Sequence, residues 1–234
     1  MVIIQSIVNI SEVNFYIMSS IIKLRGKGVS RIINSKVMLS PLAGVTDKIF
    51  RKLVRKWAPE SLLFTEMINA TSLKHGYGTQ KIKQLELEKG PIGVQIFDNR
   101  PFAVSEAAKL AEDSGAFLID INMGCPVKKI SRKGGGSALI NDRLLAIELV
   151  KRVSNAVKVP VTVKTRLGWE NKEENIEEFL LSLQDAGAEM ITLHGRTRKE
   201  GFSGKADWEM IGKIKELLEI PVIANGDIKN PEDA

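Results

Sequence analysis

The stretch Phe117-Leu118-Ile119-Asp120-Ile121-Asn122-Met123-Gly124-Cys125-Pro126 decides how this chain reads. Its first seven residues are too short for a helix and are almost continuously apolar. A strand covered on both faces has that character. Pro126 stops the strand, and Gly124 lets the backbone approach a neighbour closely.

Similar runs stand on both sides: VMLSP (37–41), SLLFTEM (61–67), IGVQIF (92–97), VTVKTR (161–166), MITLHG (190–195) and PVIANGD (221–227). Helical patterns fill the gaps. Ile176, Phe179, Leu180 and Leu183 follow the i, i+3, i+4, i+7 rule, with Glu173, Glu174, Glu177 and Glu178 near the start. Ile140, Leu144, Ile147 and Val150 form a second stripe, and Ile211, Ile214, Leu217 and Leu218 a third. Thr46 and Asp47 open a helix that runs to Trp57, and Gly115 and Gly187 stand where helix C-caps belong.

Alternating strands and helices predict βα units and a parallel sheet. Polar residues end nearly every strand: Ser40, Thr65 and Glu66, Gln95, Asp120 and Asn122, Lys164 and Arg166, His194, Asn225 and Asp227. An open doubly wound sheet uses such ends only at its switch point, whereas a barrel gathers them all at one mouth. The expected fold is therefore an α/β TIM (β/α)8 barrel with seven of its eight strands. It is expected over residues 36–234 and to be truncated at KNPEDA. Residues 1–35 read as an N-terminal extension without clear pattern, with Met18 and Met38 as alternative starts.

Composition limits the function classes. The chain has 234 residues, 44% hydrophobic and 26% charged, with 34 Lys and Arg against 28 Asp and Glu. That balance excludes a disordered chain and permits an anionic partner. One cysteine, Cys125, excludes an internal disulfide and fits a reducing compartment. With two histidines, it supplies too few ligands for a structural Cys/His zinc site. No apolar run reaches membrane-spanning length and no signal peptide is visible. A cytoplasmic protein without metal, membrane contact or obligate protein partner is expected.

Several residues are placed for chemistry. Cys125 is displayed at the barrel mouth, where a thiol serves as nucleophile or as general acid. Lys164 lies inside an apolar strand, so its ammonium is expected to point inward at an anion or an electron-rich ring. His194 follows the same logic one strand later, and Gln95 suits the edge of a flat heterocycle. Asn225-Gly226-Asp227 offers backbone N–H groups where barrels often hold phosphate. Lys128, Lys129, Arg132, Lys133, Arg166, Arg196, Arg198 and Lys199 lie in consecutive βα segments and predict a cationic ring for a polyphosphate partner. Trp169 and Phe202 are candidate stacking partners.

Together PLAGVTD (41–47), TEM (65–67), DINMGCPVKKISRKGGGSALI (120–140), VKTRLGW (163–169), HGRTR (194–198) and IPVIANGDI (220–228) resemble the tRNA-dihydrouridine synthases, most closely the bacterial B-type branch. The resemblance implies an FMN-binding barrel, followed in the family by a helical tRNA-binding domain that is expected to be absent here. It implies reduction of the C5=C6 bond of particular uridines in tRNA, with NADPH as reductant. It assigns Pro41, Leu42, Ala43, Gln95, Lys164, His194, Asn225, Gly226 and Asp227 to the flavin. Cys125 becomes the proton donor. Asn122 and Arg166 face the uracil, and Lys128, Lys129, Arg132, Arg196 and Arg198 face the tRNA. Two alternatives stand beside it: an FMN barrel acting on free pyrimidines, as in dihydroorotate dehydrogenase-like enzymes, and an inactive truncated piece.

Overall fold

The computed structural model describes residues 21–171 and 175–233. Met18, Glu173 and Glu174 lie outside the described residues. Nine strands are described: β1 (Ile22–Arg25), β2 (Ser30–Ile33), β3 (Leu63–Phe64), β4 (Ile68–Asn69), β5 (Ile92–Phe97), β6 (Leu118–Met123), β7 (Val161–Arg166), β8 (Ile191–His194) and β9 (Val222–Asn225). Strands β3, β5, β6, β7, β8 and β9 run side by side, every pair parallel, and β4 also pairs with β5. This is the arc of a (β/α)8 barrel. Its main helices are α1 (Lys48–Trp57), α2 (Ala70–Lys74), α3 (Thr79–Lys83), α4 (Pro101–Asp113), α5 (Lys128–Ser131), α6 (Arg143–Ala156), α7 (Ile176–Asp185) and α8 (Trp208–Leu217).

Two expected strands take a different form. VMLSP contributes only a bridge between Leu39 and Leu63, with Leu39 N–H donating to the Leu62 carbonyl at 3.0 Å. Pro41 has no N–H to continue the ladder. SLLFTEM contributes only the short β3, and β4 begins just after it at Ile68; both pair with β5. Asp47 caps α1 by accepting from Phe50 N–H at 2.8 Å, as its position predicts.

The core has two parts. Val94, Ile121, Val163 and Leu193 face outward and pack against Ala108, Leu149, Val153, Phe179, Leu180 and Leu183 of the helices. All four residues of the α7 stripe are buried. The α6 stripe differs: Leu144 is 83% exposed, and Ala146, Leu149, Val150 and Val153 are buried instead. Ile140 belongs to a preceding 3-10 turn, so it does not share the helical period.

The second part is Leu24, Ile33, Met38, Leu62, Phe64, Leu118, Met190 and Ile223. Leu118 and Ile223 share a strand face with Asp120 and Asn225, two residues further on. This cluster therefore fills the inside of the arc below the polar residues. The antiparallel β1–β2 hairpin supplies Leu24 and Ile33. Gly28 and Val29 N–H groups donate to Lys158 O at 3.1 and 3.2 Å, and Arg31 Nε donates to Phe117 O at 3.2 Å. Within the unpatterned segment, the described hairpin thus closes the floor of the site.

Candidate active site

Alternation puts Gln95 of β5, Asp120 and Asn122 of β6, Thr162, Lys164 and Arg166 of β7, His194 of β8 and Asn225 of β9 on the inner face. The register places Gln95 beside Asp120, Asp120 beside Thr162, Asn122 beside Lys164, and Arg166 beside His194. The parallel strands stack these into layers toward their C-terminal ends.

The lowest polar layer centres on Asp120. Its carboxylate accepts from Thr162 Oγ1 at 2.6 Å and from Gln95 Nε2 at 2.7 Å. Burial pushes its carboxyl up to about 6, against those hydrogen bonds and the Lys164 charge. Sequence reasoning noted Asp120 as a polar strand end but gave it no role.

The Cys125 loop rests on this layer. Asn122 Nδ2 donates to Gln95 Oε1 at 2.8 Å. Asn122 Oδ1 accepts the N–H groups of Gly124 and Cys125 at 3.2 and 3.0 Å. From the other side, Ser137 N–H donates to Cys125 O at 3.2 Å. Gly136 (φ +59°) packs so closely that a Cβ would stand 3.1 Å from that of Cys125. The thiol is half-buried, and burial raises its pKa above the ordinary range, so Cys125 is protonated at neutral pH.

Three cations surround the next layer. Lys164 Nζ donates to Asn225 Oδ1. Burial and the Arg166 charge lower its pKa to about 8, so most of it is still charged at pH 7. Arg166 is 3% exposed; its guanidinium donates to the carbonyls of Gly124, Thr197 and Gly201 at 2.8, 3.0 and 2.9 Å. Arg196 is 4% exposed and donates to Ser203 O, Gly204 O and both carboxylate oxygens of Asp227. Burial first, then these neighbouring cations, push His194 down to about 3. His194 is therefore a neutral imidazole.

The expected cationic ring divides in two. Arg166 and Arg196 are buried and hold loop carbonyls, as guanidinium forks do. Lys128, Lys129 and Arg132 are exposed on and after α5. Arg198 stacks on Trp169, 4.5 Å from the ring centroid. Lys128, Ser131, Arg132, Trp169 and Arg198 line a shallow pocket of about 210 Å3. Phe202 lies 5.7 Å from the Arg166 guanidinium and 6.2 Å from the His194 ring.

The remaining expected residues flank this centre. Pro41 and Leu42 are half-buried and Ala43 is exposed. Their loop is fixed by Thr46, whose Oγ1 accepts from Leu42 N–H at 3.0 Å. At Gly226 (φ +116°) a Cβ would meet His194 Cδ2 at 3.0 Å, so only glycine lets the β9 end fold over the imidazole. Asp227 also accepts from Ala206 N–H at 2.7 Å, so its carboxylate is engaged. Ser40 Oγ is buried without a hydrogen-bond partner among the described residues. No group of three or more His, Cys, Asp or Glu placed to hold a metal ion occurs among those residues.

A model of the dihydrouridine synthase family matches residues 38–234. The chain belongs to the dihydrouridine synthase family. Among the family's members, "Probable tRNA-dihydrouridine synthase 1" of Synechocystis sp. is 53% identical over 205 residues, 88% of this chain and 58% of that protein. "tRNA-dihydrouridine synthase B" of Vibrio parahaemolyticus is 40% identical over 205 residues, 86% of this chain and 63% of that protein. The chain thus spans between 58% and 63% of these curated dihydrouridine synthases. In fold it is similar to histamine dehydrogenase from Rhizobium sp. 4-9, with TM-score 0.70 at 14% identity over 93% of this chain and 43% of that one. It is also similar to a 2,3-dimethylmalate lyase, with TM-score 0.52 at 14% identity over 80% of this chain and 66% of that one. Among the described residues, no helix is long and apolar enough to cross a membrane.

Proposed function

We propose that this chain carries the catalytic barrel of an enzyme that reduces the C5=C6 bond of uridines in tRNA. The observation that carries the reading is a protonated, half-buried thiol held by its own backbone at the barrel mouth, in a chain of the dihydrouridine synthase family.

The donor set fits FMN. Lys164 presents an ammonium whose bond to Asn225 takes one of three N–H donors. Ser40 supplies a buried hydroxyl with bonding capacity to spare. Lys164, Gln95 and the Pro41-Leu42-Ala43 loop would hold the ring, and His194 with the Asn225-Gly226-Asp227 backbone would hold the phosphate side. When bound, FMN would supply the hydride, and NADPH would reload it.

The protein's own part is positioning and proton delivery. The Cys125 thiol, kept protonated by burial, gives its proton to C5 of the uracil as charge develops there. Arg166 holds the Gly124 carbonyl and thereby the proton donor's loop. The neutral His194 donates or accepts a hydrogen bond without adding charge. Lys128, Lys129, Arg132 and Arg198 attract the tRNA backbone, and the target base must leave its stack to reach the mouth.

The test has two arms. The purified chain is mixed with FMN, desalted and scanned for flavin absorbance, then assayed with NADPH and unmodified tRNA for dihydrouridine. Retained flavin with product formed only from tRNA is the expected result. Turnover of free pyrimidines instead would overturn the substrate, and failure to retain flavin would overturn the cofactor.

A further inference from the structure

We infer that Asp120 is a positioning residue, which fixes the Cys125 loop through a one-way relay of hydrogen bonds. The relay runs Thr162 to Asp120, Gln95 to Asp120, Asn122 to Gln95, and Cys125 N–H to Asn122. Its bearing on catalysis rests on the proposed role of Cys125; the relay itself does not.

The two ends of the relay have fixed polarity. An ionised carboxylate only accepts, and a backbone N–H only donates. Two amides lie between them, and each has one accepting and one donating end. Only one orientation satisfies every contact. Gln95 turns its NH2 to Asp120 at 2.7 Å, which leaves Oε1 to accept from Asn122 at 2.8 Å. Asn122 then has Oδ1 free for Cys125 N–H at 3.0 Å and Gly124 N–H at 3.2 Å. Asp120, Gln95 and Asn122 are all buried, so a flipped Gln95 amide would set its oxygen against the Asp120 carboxylate and its NH2 against that of Asn122, a costly mismatch in a low-dielectric site.

Asp120 and Asn122 sit two residues apart on β6 and act on each other through Gln95. That gives a specific test. Asn122→Asp puts the Gln95 amide between two carboxylates, and its carbonyl must face one of them unless that carboxyl takes up a proton. Adding Asp120→Asn removes the conflict by reversing the relay. The new Asn donates to Gln95 Oε1, Gln95 donates to the new Asp, and that Asp still accepts from Cys125 N–H. Asp120→Asn alone keeps an acceptor for Gln95 and preserves the original direction.

The readout is hydrogen exchange of the Cys125 amide in the flavin-free full chain, at one pH near neutrality. Asn122→Asp should exchange about tenfold faster than the parent, because the bond from residue 122 to Gln95 is lost and the side chain that accepts from Cys125 N–H is no longer anchored. The double variant and Asp120→Asn alone should both return to within about threefold of the parent. Parent-like exchange in Asn122→Asp overturns the relay. So does a double variant that exchanges as fast as Asn122→Asp. If Asn122→Asp fails to fold, the same comparison passes to folding: recovery on adding Asp120→Asn supports the relay, and no recovery overturns it. Dihydrouridine formation measured on the same four proteins separates the two claims. Restored exchange without any effect on turnover retains the relay and removes Cys125 from the chemistry.

Discussion

Lys164 reaches across β8 to donate its ammonium proton to Oδ1 of Asn225, two strands away. That bond partly offsets the cost of holding a charge inside the arc, and the depressed pKa of about 8 measures what is left uncompensated.

Lys164→Met should therefore make the flavin-free protein more stable and the site worse. A shift from 10.5 to about 8 corresponds to about 3 kcal/mol lost in the folded state at neutral pH. Asp120 loses its nearby cation in the variant, which reduces the gain to about 1–2 kcal/mol. Because folding lowers this pKa, the unfolded chain binds the extra proton between about pH 8 and 10.5. The Lys164 contribution to stability therefore rises with pH across that window. Urea midpoints of parent and variant should converge there. Flavin retention should fall by about tenfold or more, the value of a hydrogen bond from a charged donor. A variant that is both less stable and equally yellow would remove Lys164 from the site.

Cys125→Ala should keep the fold and any bound flavin, because the backbone N–H that Asn122 holds is still present. Dihydrouridine formation should fall by about 10²–10⁴-fold, the usual contribution of a positioned general acid. Unchanged turnover would exclude the thiol as proton donor.

Arg196 and Arg198 sit two residues apart in HGRTR and should behave oppositely. Arg196→Ala removes a buried guanidinium from Asp227, Ser203 O and Gly204 O and should cost about 3 kcal/mol in a urea melt. Arg198→Ala gives up a partly exposed stack on Trp169 and should cost under about 1 kcal/mol. Equal losses would mean that the two side chains share the same work.

This contrast shows what the sequence can and cannot carry. β5 and β7 match IGVQIF and VTVKTR residue for residue, because β-branched residues recur at alternate positions in both runs and mark a short strand. The inner-face residues Gln95, Asn122, Lys164 and His194 were legible for the same reason. The use of each charge was not. Nothing in HGRTR separates an arginine that ties loops together from one that meets solvent, since that depends on carbonyls of residues 203 and 204 folding back. The β1–β2 hairpin escaped notice although Gly26-Lys27-Gly28 marks its turn. Its strands are four residues each and only Leu24 and Ile33 are buried, too few to show a period.

The exposed cations on and just after α5 give the last prediction. Lys128, Lys129 and Arg132 project from the loop that displays Cys125. Their contribution to tRNA binding should then be phosphate neutralisation, which is read from salt dependence and not from affinity at one condition. Replacing all three with Ala should lower the slope of log K against log salt by nearly 3 and leave the melting temperature unchanged. A lower affinity with the parent's slope would mean that these side chains shape the loop and do not meet the tRNA backbone. An unchanged affinity and slope would place the tRNA on another face of the barrel.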